Sequence, residues 1–356
     1  MITDRKKKPY SPIELNPIGT RPPGRGGAAG PPMYASPVSY RENTLSLFWD
    51  KQPAFAVTSA DFMGIGCTPY NTHMGRTNPD RSDLIDCFGV KWEFVPAVGG
   101  SISHGGNPRF EDANDWRDAI KMPDVDSWDW ENGCKGEKPN PAFAMNITTT
   151  NGFGFERLIS LMDFMNAAIA MADEDQYDAL YDLVGELHDV AIKVFDKCFT
   201  YYPYIDGITL HDDWGSQKDP FFSEEAARQI FLPHMKRLCD FIHSKGRYVE
   251  LHSCGHTEAR VGVFIDAGID TWQMQILNDY KKLYEEVGDK ICIQIPVDEF
   301  GFDCTDEDQA VECARTYVDN FCKPGKPSMV VARNASASSV FNEELYEYSR
   351  KHYMNQ

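Results

Sequence analysis

The chain has 356 residues, 54 of them acidic and 35 basic, giving a formal charge of −19 at pH 7. A hydrophobic content of 42% with 12% aromatic residues is ample for a large core and excludes wholesale disorder. So acidic a chain argues against nucleic acid as a partner, because phosphate binding rests on clustered Lys and Arg. No apolar run approaches the roughly 20 residues that span a bilayer, so no membrane span is expected. The N-terminus is charged without an apolar stretch behind it, unlike a secretory signal. Ten cysteines are scattered singly with no CxxC pair, which reads as reduced thiols in a cytoplasmic protein.

Residues 1–33 are rich in Pro, Gly and basic side chains (Lys6, Lys7, Lys8, Arg21, Arg25) and read as a flexible arm. A homodimer contact or a lid are the alternatives for it. Residues 34–356 read as one domain. Within it, 34–140 is irregular and carries an apolar stretch at 53–57 and a strand at 91–98. From about 142 strands and helices alternate: a strand at 142–148, helices at 155–171 and 174–199, a strand at 205–210 and a helix at 223–244. In that last helix Phe231, Met235, Leu238 and Ile242 recur at helical spacing, Ser223 caps the start and Gly246 closes the end. Strands at 247–251, 271–275, 291–295 and 328–332 follow. They are separated by helices at 258–267, 279–287 and 305–322, the last capped by Thr305, and a helix at 342–352 ends the chain. This alternation predicts an α/β fold of parallel βαβ units, closed as a (β/α)8 barrel of the TIM type.

In such a barrel the active site lies where the strands end at the C-terminal face. Polar residues at those ends are Asp61, Thr149 to Asn151, His211 to Asp213, His252 to Cys254, Gln273, Gln275, Asp298, Glu299, Arg333 and Asn334. The sharpest pattern is Glu250-Leu251-His252-Ser253-Cys254-Gly255. Alternate strand residues share a face, so Glu250, His252 and Cys254 point one way. Carboxylate, imidazole and thiolate are all zinc donors and leave a fourth position open. A packed core histidine and thiol fit the same spacing, although a buried unpaired Glu250 would be costly. The second pattern is His211-Asp212-Asp213-Trp214, whose two acids suit acid catalysis or, equally, helix capping. Asp212, Asp213 and Asp61 are thus candidate catalytic groups, and Gln275 and Asn151 candidate cofactor contacts. Phe110, Trp116, Trp128 and Trp130 suit a pocket rim or, more commonly, the core.

The stretch Asp212-Asp213-Trp214-Gly215-Ser216-Gln217 is followed by Phe231-Leu232-Pro233, then Leu251-His252-Ser253-Cys254-Gly255 and Asp266-Ala267-Gly268-Ile269-Asp270. In this order they resemble the uroporphyrinogen decarboxylase superfamily, and within it the cobalamin-dependent methyltransferase branch. The resemblance is good over about residues 140–355 and weaker over 34–139. It implies a (β/α)8 barrel and a zinc ion held by an HxC pair and a distant cysteine near the last strand. The pair falls on His252 and Cys254. The segment matching the distant ligand, Val330-Val331-Ala332-Arg333-Asn334-Ala335-Ser336, has no cysteine, which makes Glu250 the substitute and Asp213 or Asp298 further candidates. The decarboxylase itself fits poorly, since residues 58–67 hold Asp61 and no basic residue for a polyanionic substrate.

The resemblance therefore implies an anaerobic one-carbon enzyme. It would move a methyl group between a small methyl ether or thiol and a cobalamin on a partner corrinoid protein, with zinc as Lewis acid. Alternatives are a lyase or decarboxylase acting on a non-porphyrin substrate, and a non-catalytic corrinoid-binding subunit.

Overall fold

A computed structural model describes residues 8–22, 30–75, 77–97, 99–150, 152–303, 306–331 and 338–354. Eight strands form one sheet: β1 Val57–Thr58, β2 Phe62–Gly64, β3 Ala144–Thr149, β4 Gly207–His211, β5 Tyr248–Ser253, β6 Thr271–Met274, β7 Cys292–Pro296 and β8 Ser328–Val331. Their order is β2-β3-β4-β5-β6-β7-β8-β1, so the last strand lies beside the first in a nearly closed (β/α)8 barrel. The pairings β2–β3, β4–β5, β6–β7, β7–β8 and β8–β1 are all parallel. Only a 3-10 turn, Ser59–Asp61, separates β1 from β2. Among the described residues no helix is long and apolar enough to cross a membrane. The nine described cysteines are free thiols.

The chain divides into two compact units, the first comprising Met1–Gly64, Pro139–Asn146 and Asp270–Gln356. Its core gathers Tyr34, Val38, Tyr40, Ala54, Phe55, Phe143 and Tyr346. The described part of the arm is held by buried charges. Arg21 bonds Asp61 at 2.9 Å and Thr58 Oγ1 at 3.0 Å, and donates also to Asn342 Oδ1 and the Pro32 carbonyl. Glu14 accepts from Arg350 Nε at 3.2 Å and from the Tyr346 hydroxyl at 2.7 Å. Pro17–Thr20 and Pro32–Tyr34 pair antiparallel between these anchors. The helix predicted from residue 305 runs over Glu307–Phe321 and is capped by Asp306, whose carboxylate accepts from Gln309 N; Thr305 lies outside the described residues.

The second unit comprises Ile65–Lys138 and Ile147–Ile269. The strand expected at 91–98 covers Lys91–Val95 and belongs to a separate antiparallel sheet with Asp83–Ile85 and Gly100–Ser103. Phe155–Ala170 is α1 and Tyr177–Tyr201 is α2. Arg157 of α1 is wholly buried against Asp86 at 2.5 Å, under the rings of Phe88 and Trp92. The predicted helix 223–244 is capped by Ser223 as expected, but a π-turn at Ala227–Phe231 precedes its main run, Leu232–Ser244. Pro233 explains the widening, because it donates no N–H and its ring collides with the carbonyl four residues back.

Burial of polar side chains sets how the fold responds to mutation and to pH. Arg21→Met would leave the Asp61 carboxylate buried beside no cation and should cost about 3–5 kcal/mol in urea unfolding; an unchanged midpoint would show that the tether is idle. His188, buried in α2 with Nδ1 2.8 Å from the Val184 carbonyl, has its pKa pushed down to about 3 by burial. The unfolded imidazole ionises near 6.5, so below that pH the unfolded chain takes up a proton that the folded chain refuses. The stability this group provides above pH 6.5 is lost progressively as the pH falls toward 3, about 2 kcal/mol of it by pH 5. A His188→Gln protein should therefore show a shallower fall between pH 7 and pH 5 than wild type.

Candidate functional site

The site lies within the second unit, where β4 and β5 end side by side. Their register pairs Thr209 with Glu250 and His211 with His252. Alternation places all four on one face of the sheet. Thr209 Oγ1 donates to Glu250 Oε2 at 2.6 Å. Two residues further on, the imidazoles of His211 and His252 stack with centroids 4.5 Å apart and planes 27° from parallel.

The loops beyond these strands carry the other two groups. The Cys254 backbone N–H donates to Asp213 Oδ1 at 2.7 Å, and Cys254 Sγ lies 3.2 Å from His252 Nε2. His252 Nε2 is 3.9 Å from Asp213 Oδ1. His211, Asp213 and His252 each offer a ligand atom within 4.8 Å of one another. Such close loops need glycine. Gly255 has φ +89°, and a Cβ there would lie 2.1 Å from the Gly215 carbonyl oxygen.

Trp214 sends the two neighbouring acids to different work. Its indole is buried against Phe222, Phe231 and Phe264, and its Nε1 donates to Asp212 Oδ2 at 2.6 Å. Asp212 also accepts from Phe155 N at 2.9 Å and Glu156 N at 2.8 Å, capping the start of α1. Gly154 makes room, since a Cβ there would sit 2.0 Å from Asp212 Oδ2. Both oxygens of Asp212 are thus engaged, whereas Asp213 turns to the imidazoles and Cys254.

Glu156, held by that cap, meets His211 Nδ1 at 2.8 Å. Burial pushes the Glu156 carboxyl up to about 7 against the opposing pull of His211. Burial also resists a charge on His211, but the Glu156 bond and the nearby acids overcome it and raise the imidazole to about 9. The Cys254 thiol is pushed up to about 12, by burial first and then by Asp213.

These residues fit a divalent metal. Donors around tetrahedral zinc, each about 2.0–2.3 Å from the ion, lie roughly 3.3–3.8 Å apart. From His252 Nε2 the Cys254 sulfur is 3.2 Å and Asp213 Oδ1 3.9 Å away, each about 0.1 Å outside that range, so small side-chain shifts would bring the donors to tetrahedral spacing. Imidazole, carboxylate and thiolate are accepted zinc donors, and the Asp213 and Cys254 anions together balance a 2+ charge. A coordinating cation also holds a thiol deprotonated, offsetting the burial that raises Cys254.

Of the residues singled out in the sequence, His252, Cys254 and Asp213 are brought together. Glu250 stands two residues back on β5, bonded to Thr209. Asp61 belongs to the first unit and faces Arg21, a basic group supplied from outside the 58–67 window. Gln275, also in the first unit, uses its backbone carbonyl to accept from Asn278 N and Nδ2. Asp298 and Glu299 lie in the 3-10 turn Val297–Phe300. Asn151, Arg333 and Asn334 lie outside the described residues. Phe110, Trp116, Trp128 and Trp130 are buried, with Trp128 and Trp130 stacked. His211 as a metal donor and Glu156 were not foreseen. The signal for His211 was its place two residues after Thr209, matching His252 after Glu250.

Residues 158–326 match the uroporphyrinogen decarboxylase (URO-D) family. That segment contains the motifs between Asp212 and Asp270 that carried the resemblance. In fold the chain is similar to a methyltransferase from Methanosarcina mazei, with a TM-score of 0.57 and 13% identity over 88% of this chain and 99% of that one. No curated protein matches the sequence.

The cap makes a measurable demand. Asp212→Ala would strand the Trp214 indole N–H and two helix N–H groups, and should lower stability in urea by at least about 2 kcal/mol. Wild-type stability in this variant would refute the assignment of Asp212 to the helix.

Proposed function

We propose that this protein is a methyltransferase moving a methyl group between a small methyl ether or thiol and a corrinoid carried by a separate protein. The observation that supports the reading most is the convergence of His211, Asp213 and His252, with the Cys254 sulfur 3.2 Å from His252 Nε2, at the C-terminal ends of two adjacent strands, where barrel enzymes of this kind place their chemistry. Zinc held by His252, Cys254 and Asp213 would supply Lewis acidity to the heteroatom that gives or receives the methyl group. The chain itself supplies orientation. The Cys254 N–H fixes the Asp213 carboxylate, and stacking against His211 fixes the plane of His252. The fold likeness to a methyltransferase agrees with this reading. Decarboxylation of a porphyrin-like polyanion is disfavoured, because Asp61 and Arg21 are spent on each other.

The purified protein should contain about one zinc per chain. It should transfer methyl groups between reduced cobalamin and a panel of methyl ethers and thiols. His252→Ala and Cys254→Ala should lose the metal and at least about 100-fold in rate. Carbon dioxide release with no corrinoid requirement would replace this reading with a lyase. A metal-free protein that still binds a corrinoid protein would replace it with a non-catalytic partner.

A further inference from the structure

The superfamily resemblance implies two sulfur ligands, and residues 330–336 supply none. From the geometry of β4 we infer that a divalent cation in this chain is held by a one-sulfur set, with His211 Nε2 and Asp213 joining His252 and Cys254 and a substrate heteroatom entering as a fifth donor, and that Glu156 is the positioning residue for His211. The inference rests on the metal-binding part of the function proposed above.

Three observations carry it. His211, Asp213 and His252 already converge within 4.8 Å, with the Cys254 sulfur 3.2 Å from His252 Nε2. Second, His211 Nδ1 is engaged by Glu156 Oε2 at 2.8 Å, leaving Nε2 as its second ring nitrogen. A carboxylate behind an imidazole fixes ring and tautomer in this way at many metal centres. Third, Glu156 is itself fixed: Asp212 accepts from its backbone N–H and from that of Phe155, while Trp214 holds Asp212. Charge is conserved by the exchange, because the Asp213 carboxylate replaces the anion that a second thiolate would bring. Glu250, with Oε2 accepting from Thr209, is outside the convergent group. With one sulfur and more nitrogen and oxygen the site is harder than a thiolate-rich one.

The test reads the metal and not methyl transfer, so a failed transfer assay leaves the ligand set untouched. The protein is loaded with Co²⁺ for spectroscopy and with Zn²⁺ for competition against a chelator. The wild-type Co²⁺ spectrum should show a sulfur-to-cobalt band of single-thiolate intensity, abolished in Cys254→Ser. Zinc affinity should fall about 10–100-fold in Glu156→Ala and return to near wild type in Glu156→Gln, whose amide oxygen accepts from the same Nδ1–H. His211→Ala should weaken it further and shift the Co²⁺ ligand-field bands. Wild-type affinity and spectrum in His211→Ala would overturn the inference while leaving the methyltransferase reading in place. So would a sulfur band that survives in Cys254→Ser or has two-thiolate intensity in the wild type, a readout that needs no variant to fold. A wild-type protein that takes up neither metal would overturn both this and the zinc-dependent reading.

Discussion

The site depends on the register of β4 against β5. Parallel neighbours lie about 4.8 Å apart, so residues paired in register on one face must touch. Pairing His211 with His252 forces two imidazoles together, and pairing Thr209 with Glu250 gives the buried carboxylate a donor. A slip of β5 by one residue would bring Leu251 to that face and send His252 to the other side, away from His211. Register here sets the chemistry as well as the packing.

Beyond the strands the same economy continues through short-range contacts. Asp212 and Asp213 are neighbours with opposite fates, separated by how Trp214 is anchored. The buried indole draws Asp212 inward, where three N–H groups meet it at the start of α1. Asp213 is left facing the Cys254 amide. The glycines at 215 and 255 let the two loops approach to backbone contact. Helix α1 then carries Glu156 back to His211, so the cap and the imidazole clamp form one connected network, and a disturbance at Asp212 reaches His211 through a helix end.

Much of this was legible in the sequence, and the limits are physical. The alternation of strands and helices showed itself through local periodicity, and the His252-Ser253-Cys254 pattern through its spacing. What escaped depended on pairs distant in sequence. His211 and Glu156 are 55 residues apart, and Arg21 and Asp61 are 40 apart. No local window contains both members. Glu250 illustrates the converse: its inward carboxylate suggested a metal ligand, but only the cross-strand register reveals Thr209 as its partner. The separate sheet around Lys91–Val95 was read as a strand without its antiparallel partners for the same reason.

The distribution of buried charge supports the metal reading from another direction. Asp61 is matched by Arg21, Asp86 by Arg157 and Glu14 by Arg350. Such pairs add little net stability over apolar packing, yet breaking one is expensive, so each pins two distant segments in a fixed arrangement. Buried Asp212 and Glu250 are met by N–H and hydroxyl donors instead, while Asp213 is only half-buried. Its ion-pair contact is the imidazole of His252, and its other neighbours there are an amide and a thiol. A guanidinium in that position would fix the carboxylate and fill the strand mouth. Imidazoles and a thiol leave room for a small cation, which would displace the proton that Glu156 and the nearby acids hold on His211 and make a thiolate of Cys254. The arrangement accommodates the cation site proposed above, where a guanidinium would close it.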